Sequence, residues 1–433
     1  RLMPLVDWYF DDGLLMSLHS DQRVADAGPQ ELTEIVVRES ADERNTLVIL
    51  NGPQPQPRSA LMLTFTNESG DRRLVTCGSA MAPFSVNRVA LAEADPELPT
   101  FSAGGLLSVE AHFASQGVFT RPYVLTEGKR VGAYHGGNRY SWGSLPAFAY
   151  KLLGQGHINP MAVVHRQDLT TIVNLLHSHG ELEDDYWVDA RLFDSTGQLV
   201  AAKLPWLLTR RRGLVRGAIR DLLPDPRQDF VGHVALTFAS SAASAYPGRL
   251  QALLEYEADA SVSRVMAWSD EWNAGIKRWR MNQAAGESSG TPSLRGYYRV
   301  WGRPGFSTQV CVSNAGPADY AERAAYTLRL RNTRGEELTS AGTLDPQATH
   351  LLVTDELFAG AAQFLAPEGA GVMVLESTAD WLRSLGHRVV TARGVAEARQ
   401  RLAAGHFDLA VSDIRPVSYT HLRAHETKAN LVC

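Results

Sequence analysis

The densest set of metal-ligating side chains in the sequence is His177-Ser-His-Gly-Glu-Leu-Glu-Asp-Asp185, where His177, His179 and Glu181 stand within five residues. Imidazole and carboxylate are the ligands that zinc takes, and several carboxylates together suit calcium. A spacing of i, i+2 on a loop fixes no coordination geometry, so a solvated acidic loop is the plainer reading. A second group is aromatic. Tyr134, Tyr140 and Trp142 lie in one stretch, and Trp268 and Trp272 in another, with Asn, Arg and Asp beside them. Flat rings cover the apolar faces of a sugar while polar neighbours take its hydroxyls, so these five residues are candidates for glycan binding. The plainer role for the same rings is to glue adjacent domains together. His135, His157 and His165, with Asp168 nearby, suffice on paper for a Ser/His/Asp hydrolase, but closeness in sequence says little about geometry. There is no Gly-rich phosphate loop, nucleophile elbow, CxxC pair or HExxH, and no cofactor is expected.

The elements that would hold these residues come in copies. Asp194-Ser-Thr-Gly197 reads as a hairpin turn, with an Asx residue opening it and Gly supplying the positive φ that closes it. Asn67-Glu-Ser-Gly70 and Asn332-Thr-Arg-Gly335 match it. Counting back from each Gly gives inner faces of Leu61, Leu63 and Phe65, then Val188, Ala190 and Leu192, then Tyr326, Leu328 and Leu330. That period of two marks half-buried strands. Upstream of each turn lies an apolar strand: Thr46–Leu50, Thr171–Leu176 and Thr308–Val312. Downstream come an acid-Leu segment (Ala94–Leu98, Arg220–Pro224, Thr354–Phe358) and another apolar strand (Leu106–Phe113, Val231–Phe238, Gly371–Leu375). The first two copies add a closing strand at Tyr123–Leu125 and Leu250–Glu255, which the third lacks.

A unit this long, built of short alternating strands and turns, predicts a mainly β chain of three tandem antiparallel β-sandwich, immunoglobulin-like domains, followed by a short α/β fragment. The expected layout is an N-terminal segment 1–30, sandwich 31–130, aromatic connector 131–160, sandwich 161–258, Trp-rich connector 259–305 and truncated sandwich 306–378. The 433 residues suffice for three cores, and a net charge of −5 gives no support for nucleic-acid binding. No apolar run reaches the length of a membrane span. Cys77, Cys311 and Cys433 make no disulfide framework. The N-terminus, which begins at Arg1 without Met, is expected to be incomplete.

After residue 378 the pattern changes. Asp380–Gly386 reads as a helix, His387–Thr391 as a strand, Gly394–Ala404 as a helix and Phe407–Asp413 as a buried strand ending in an acid. Residues 379–416 resemble the first half of a response-regulator receiver domain. The resemblance implies a doubly wound sheet and a phosphoacceptor role for Asp413, but the acidic pair that would hold Mg²⁺ has no counterpart. Residues 417–433 read as translated sequencing adapter, which would make the C-terminus chimeric.

The function expected is a non-enzymatic modular protein, extracytoplasmic, binding a protein or glycan partner. A phosphoacceptor signalling protein and a hydrolase or metal-dependent enzyme using the connector histidines are the alternatives.

Overall fold

The computed structural model describes residues 5–9, 15–19, 32–57, 61–77, 80–112, 122–135, 137–139, 156–176, 185–209, 214–240, 251–259, 262–268, 295–302, 308–315, 323–376, 409–411 and 430–432. Strand dominates them. A hairpin, β1 (Leu5–Tyr9) with β2 (Leu15–His19), comes first.

The first sandwich follows: β3 (Leu32–Arg38), β4 (Glu43–Leu50), β5 (Met62–Asn67), β6 (Arg72–Thr76), β7 (Val86–Ala90), β8 (Leu106–His112) and β9 (Tyr123–Gly128), extended by β10 (Gly132–His135) and β11 (Gly137–Arg139). One sheet has the order β11-β3-β8-β5-β6, the other β10-β9-β4-β7. The second copy is β12 (Gly156–Arg166), β13 (Leu169–Leu176), β14 (Tyr186–Asp194), β15 (Leu199–Thr209), β16 (Leu214–Ala218), β17 (Phe230–Ser240) and β18 (Gln251–Ala258), extended by β19 (Val262–Trp268). Its order β15-β14-β17-β12 repeats β6-β5-β8-β3, and β13 lies between β16 and β18 as β4 lies between β7 and β9. The third copy is β20 (Arg295–Trp301), β21 (Gln309–Ser313), β22 (Ala324–Arg331), β23 (Glu337–Leu344), β24 (Thr349–Val353) and β25 (Ala370–Glu376). The orders β20-β25-β22-β23 and β21-β24 complete the same plan without its seventh strand among the described residues. The chain is thus mainly β, with antiparallel sandwiches in tandem.

The turns and inner faces follow from the sequence. Gly70, Gly197 and Gly335 take φ of 85°, 89° and 81°, a conformation that costs a side-chain-bearing residue much more. Leu63, Phe65, Val188, Leu192, Leu328 and Leu330 are fully buried. Between the fifth and sixth strands each copy turns through short helical pieces: α1 (Leu91–Ala94) and α2 (Leu98–Ser102), a 3-10 turn at Ile219–Asp221, and α3 (Thr354–Leu357) with α4 (Ala361–Phe364). These carry the acid-Leu segments, and they bury Leu91, Leu98, Ile219 and Ala361.

The two connectors contain strands. β10 and β11 stand within 131–160, β12 begins before residue 161, and β19 and β20 fall within 259–305. Aromatic density there reflects strand alternation: in β20, Arg299 and Trp301 share one face while Val300 enters the core on the other. In the C-terminal stretch, Leu409–Val411 pairs in parallel with Asn430–Val432.

By compactness the chain forms two units. The first comprises Arg1–Ala274, Cys311–Tyr320 and Gln347–Leu351, and the second Gly275–Val310, Ala321–Pro346 and Leu352–Cys433. Within the first, the two sandwiches share apolar contacts, since Leu214 and Leu253 of the second belong to the core of the first. A band of charge runs beside them. Arg130 bonds both Glu43 and Glu257, which also lies 4.0 Å from Arg38 and 3.5 Å from Arg216. Burial pulls the Arg216 guanidinium below its ordinary range, and the neighbouring Glu255 opposes that pull. Arg216 is thus an ion-pair partner of Glu257.

Candidate functional site

Seven of the residues singled out from sequence lie outside the described set: Tyr140, Trp142, Trp272, His177, His179, Glu181 and Asp413. Trp268 ends β19, opposite Gln251. Tyr134 is a core residue at 2% exposure. Its hydroxyl donates to the carbonyl of Val36 at 2.7 Å and accepts from the amide of Val36 at 2.8 Å. The strand β11 pairs with β3 only as far as Glu34, so Tyr134 caps the edge that β11 leaves open. Its ring offers no face to a sugar, which corrects the expectation for this residue. The cause is that a Tyr ring and its hydroxyl fill a buried edge as readily as a binding surface.

His165 is likewise structural. Its Nε2 donates to the carbonyl of Pro226 at 2.8 Å and its Nδ1 lies 3.1 Å from the hydroxyl of Thr170. Asp168 is exposed and pairs with Arg166 at 3.4 Å, so no His165–Asp168 couple forms. Among the described residues no group of three or more His, Cys, Asp or Glu could hold a metal ion.

The surface that does stand out was in the first-named hairpin of the second sandwich, on its outer face. β14 runs between β15 and β17 and alternates strictly: Val188, Ala190 and Leu192 go to the core, while Trp187, Asp189 and Arg191 face outward. Trp187 is 38% exposed, and its cross-strand partner Leu208 is 41% exposed. On the other side of Trp187 the partner is Ala239, and Arg191 lies between Ala202 and Ala235. Thr237 stands opposite Asp189. On the β17 flank the three partners are thus the small residues Ala239, Thr237 and Ala235, while on the β15 flank Leu208 stands opposite Trp187, the register shifts beside Asp189 and Ala202 stands opposite Arg191. A large ring left open to water costs apolar hydration that folding would otherwise remove. Position by position from the closing glycine, the other two copies carry Ala60 and Ala325 where the second carries Trp187. The sandwich plan therefore does not need the indole.

Sequence reading looked for aromatic platforms in the connectors and passed over this one. The signal was available: an outward position in an alternating strand, filled by Trp in one copy and Ala in the others.

No known protein family matches the chain, and no curated protein matches it. A solved structure described as a tetra-tandem repeat in the extending region of a large adhesion protein is similar over 80% of this chain and 71% of that one, at 12% identity and a TM-score of 0.10. A likeness at that score carries no argument about this chain. No helix among the described residues is long and apolar enough to cross a membrane.

Proposed function

We propose that this is a non-enzymatic modular binding protein, extracytoplasmic, whose second sandwich holds a glycan on the outer face of β14, β15 and β17. The exposed Trp187, where the sister copies have alanine, carries the reading. An indole lying on a sheet face covers the apolar side of a pyranose ring, and Asp189 and Arg191 along the same row offer an acceptor and donors for its hydroxyls. Leu208 extends the apolar part of the surface. Alternate residues of a strand stand about 7 Å apart at their Cα atoms, so Trp187, Asp189 and Arg191 are rooted along β14 at the scale of a sugar and its neighbour.

Affinity electrophoresis of the full chain through gels containing neutral plant and bacterial polysaccharides tests this directly. Retardation in at least one gel is expected, and Trp187→Ala should weaken it at least tenfold, as truncation of a central aromatic anchor does. Trp187→Phe should keep part of it. A chain that migrates alike in every gel, or a Trp187→Ala variant that is retarded as strongly as the parent, would overturn the glycan reading.

A further inference from the structure

Three hairpins occupy the same place relative to the sandwich that follows them. β9–β10 and β18–β19 each join a seventh strand to a short strand on its outer edge, and the first strand of the next sandwich comes afterwards. The hairpin β1–β2 precedes β3 in the same way. It pairs Leu5 with His19 as β9–β10 pairs Tyr123 with His135. Packing agrees with the order: β10 packs against β19, and β2 packs against β10. The short strands β2, β10 and β19 therefore succeed one another within the first unit.

In the two complete cases the other edge of the seventh strand is taken by the second strand of its sandwich, β4 on β9 and β13 on β18. Among the described residues no strand lies on that edge of β1. A lone two-stranded hairpin is marginal in water, and an open strand edge is a ready template for another strand. We propose that β1–β2 is the closing hairpin of a further sandwich of this same build, encoded ahead of it in the same polypeptide, and that the open edge of β1 receives that sandwich's second strand. This inference is independent of any glycan.

The repeat makes the expectation numerical. The closing glycine of the third-to-fourth strand turn precedes the seventh strand by 53 residues in the first copy (Gly70 to Tyr123) and by 54 in the second (Gly197 to Gln251). The first strand starts 91 and 95 residues ahead of the seventh (Leu32 to Tyr123, Gly156 to Gln251). Counted back from Leu5, the coding sequence upstream of Arg1 should therefore contain an Asx-x-x-Gly turn at the former distance, with an alternating apolar strand before it and an acid-Leu segment after it.

Reading that sequence is the first test. The second is amide exchange on this chain and on one extended upstream by the missing strands, with Leu5–Tyr9 expected to exchange at least tenfold more slowly in the extended protein. An upstream sequence without the turn and its flanking strands would overturn the proposal, as would unchanged exchange at Leu5–Tyr9 in the extended chain.

Discussion

At the scale of single residues, two side chains of the second sandwich give sharp expectations. A Cβ built on Gly217 would lie 2.3 Å from Cζ2 of Trp206, which is buried against β16 from the facing strand β15. Gly217→Val should therefore destabilise the sandwich by about 1–3 kcal/mol, the usual cost of overpacking, and a thermal melt reads it. His233 is fully buried, stacked on Phe193 at 4.8 Å and 3.2 Å from the hydroxyl of Thr349. Burial pushes its imidazolium from the ordinary 6.5 down to about 4, with a hydrogen bond to Gln347 opposing the shift. Between those two pH values the unfolded chain takes up a proton that the folded chain refuses. The stability at stake is present above pH 6.5 and is lost as pH falls toward 4, by up to about 3 kcal/mol. His233→Phe keeps the stack and removes the titration, so its urea midpoint should fall less steeply than the parent's across that window. Parallel curves for the two proteins would rule this out. At this scale the sequence was legible for the three turn glycines, misleading for Tyr134 and silent for His233 and Trp206, all three of whose roles depend on partners, respectively 98, 116 and 11 positions away.

Among elements, the Asx turns do more than close hairpins. The side-chain amide of Asn67 donates to the carbonyl of Phe101, and that of Asn332 to the carbonyl of Phe364, both at 3.2 Å. In copies one and three the turn is thus tied to the helical piece between the fifth and sixth strands. The second copy has Asp194 at this position, an acceptor that receives the amides of Thr196 and Gln198 at 2.9 Å instead. Asn332→Asp should cost about 1–3 kcal/mol, because a carboxylate there faces the Phe364 carbonyl and Glu336 with nothing to donate. Asp194→Asn, which keeps the acceptor, should be close to neutral. Chemical denaturation of both variants makes the comparison. The repeated turn and third strand were readable because alternation and an Asx-x-x-Gly signature coincide there, and the second and sixth strands because their apolar runs recur upstream and downstream of that turn. The first strands β12 and β20 were not, since β12 is longer than its alternating part and β20 lies in an aromatic stretch whose period of two competes with a linker reading.

Across the molecule, the first two sandwiches are chemically one body. Leu253 is fully buried, and it points from β18 into the first sandwich's core while Ala252 and Leu254 serve their own. Leu253→Ala should cost about 2–5 kcal/mol, and the loss of amide protection should appear in β4 of the first sandwich as well as in β18. Protection lost in the second sandwich alone would mean that the cores unfold independently. None of this coupling was legible in sequence, where Leu253 is one apolar residue in a strand of several. The strand order has a mechanical consequence. Gly128, at the end of β9, pairs with Glu43 beside the β3–β4 turn, whereas Leu32 begins β3 at the opposite end of that sandwich, and Ala258 and Gly156 are placed likewise in the second. A pull applied at Leu32 and Gly128 themselves would run along the strands and slide β3 on β8 and β9 on β4 in shear. The polypeptide beyond Gly128, however, turns back through β10 and β11 to the end where Leu32 begins β3, so tension along the chain first peels β11 from β3 and β10 from β9, rung by rung.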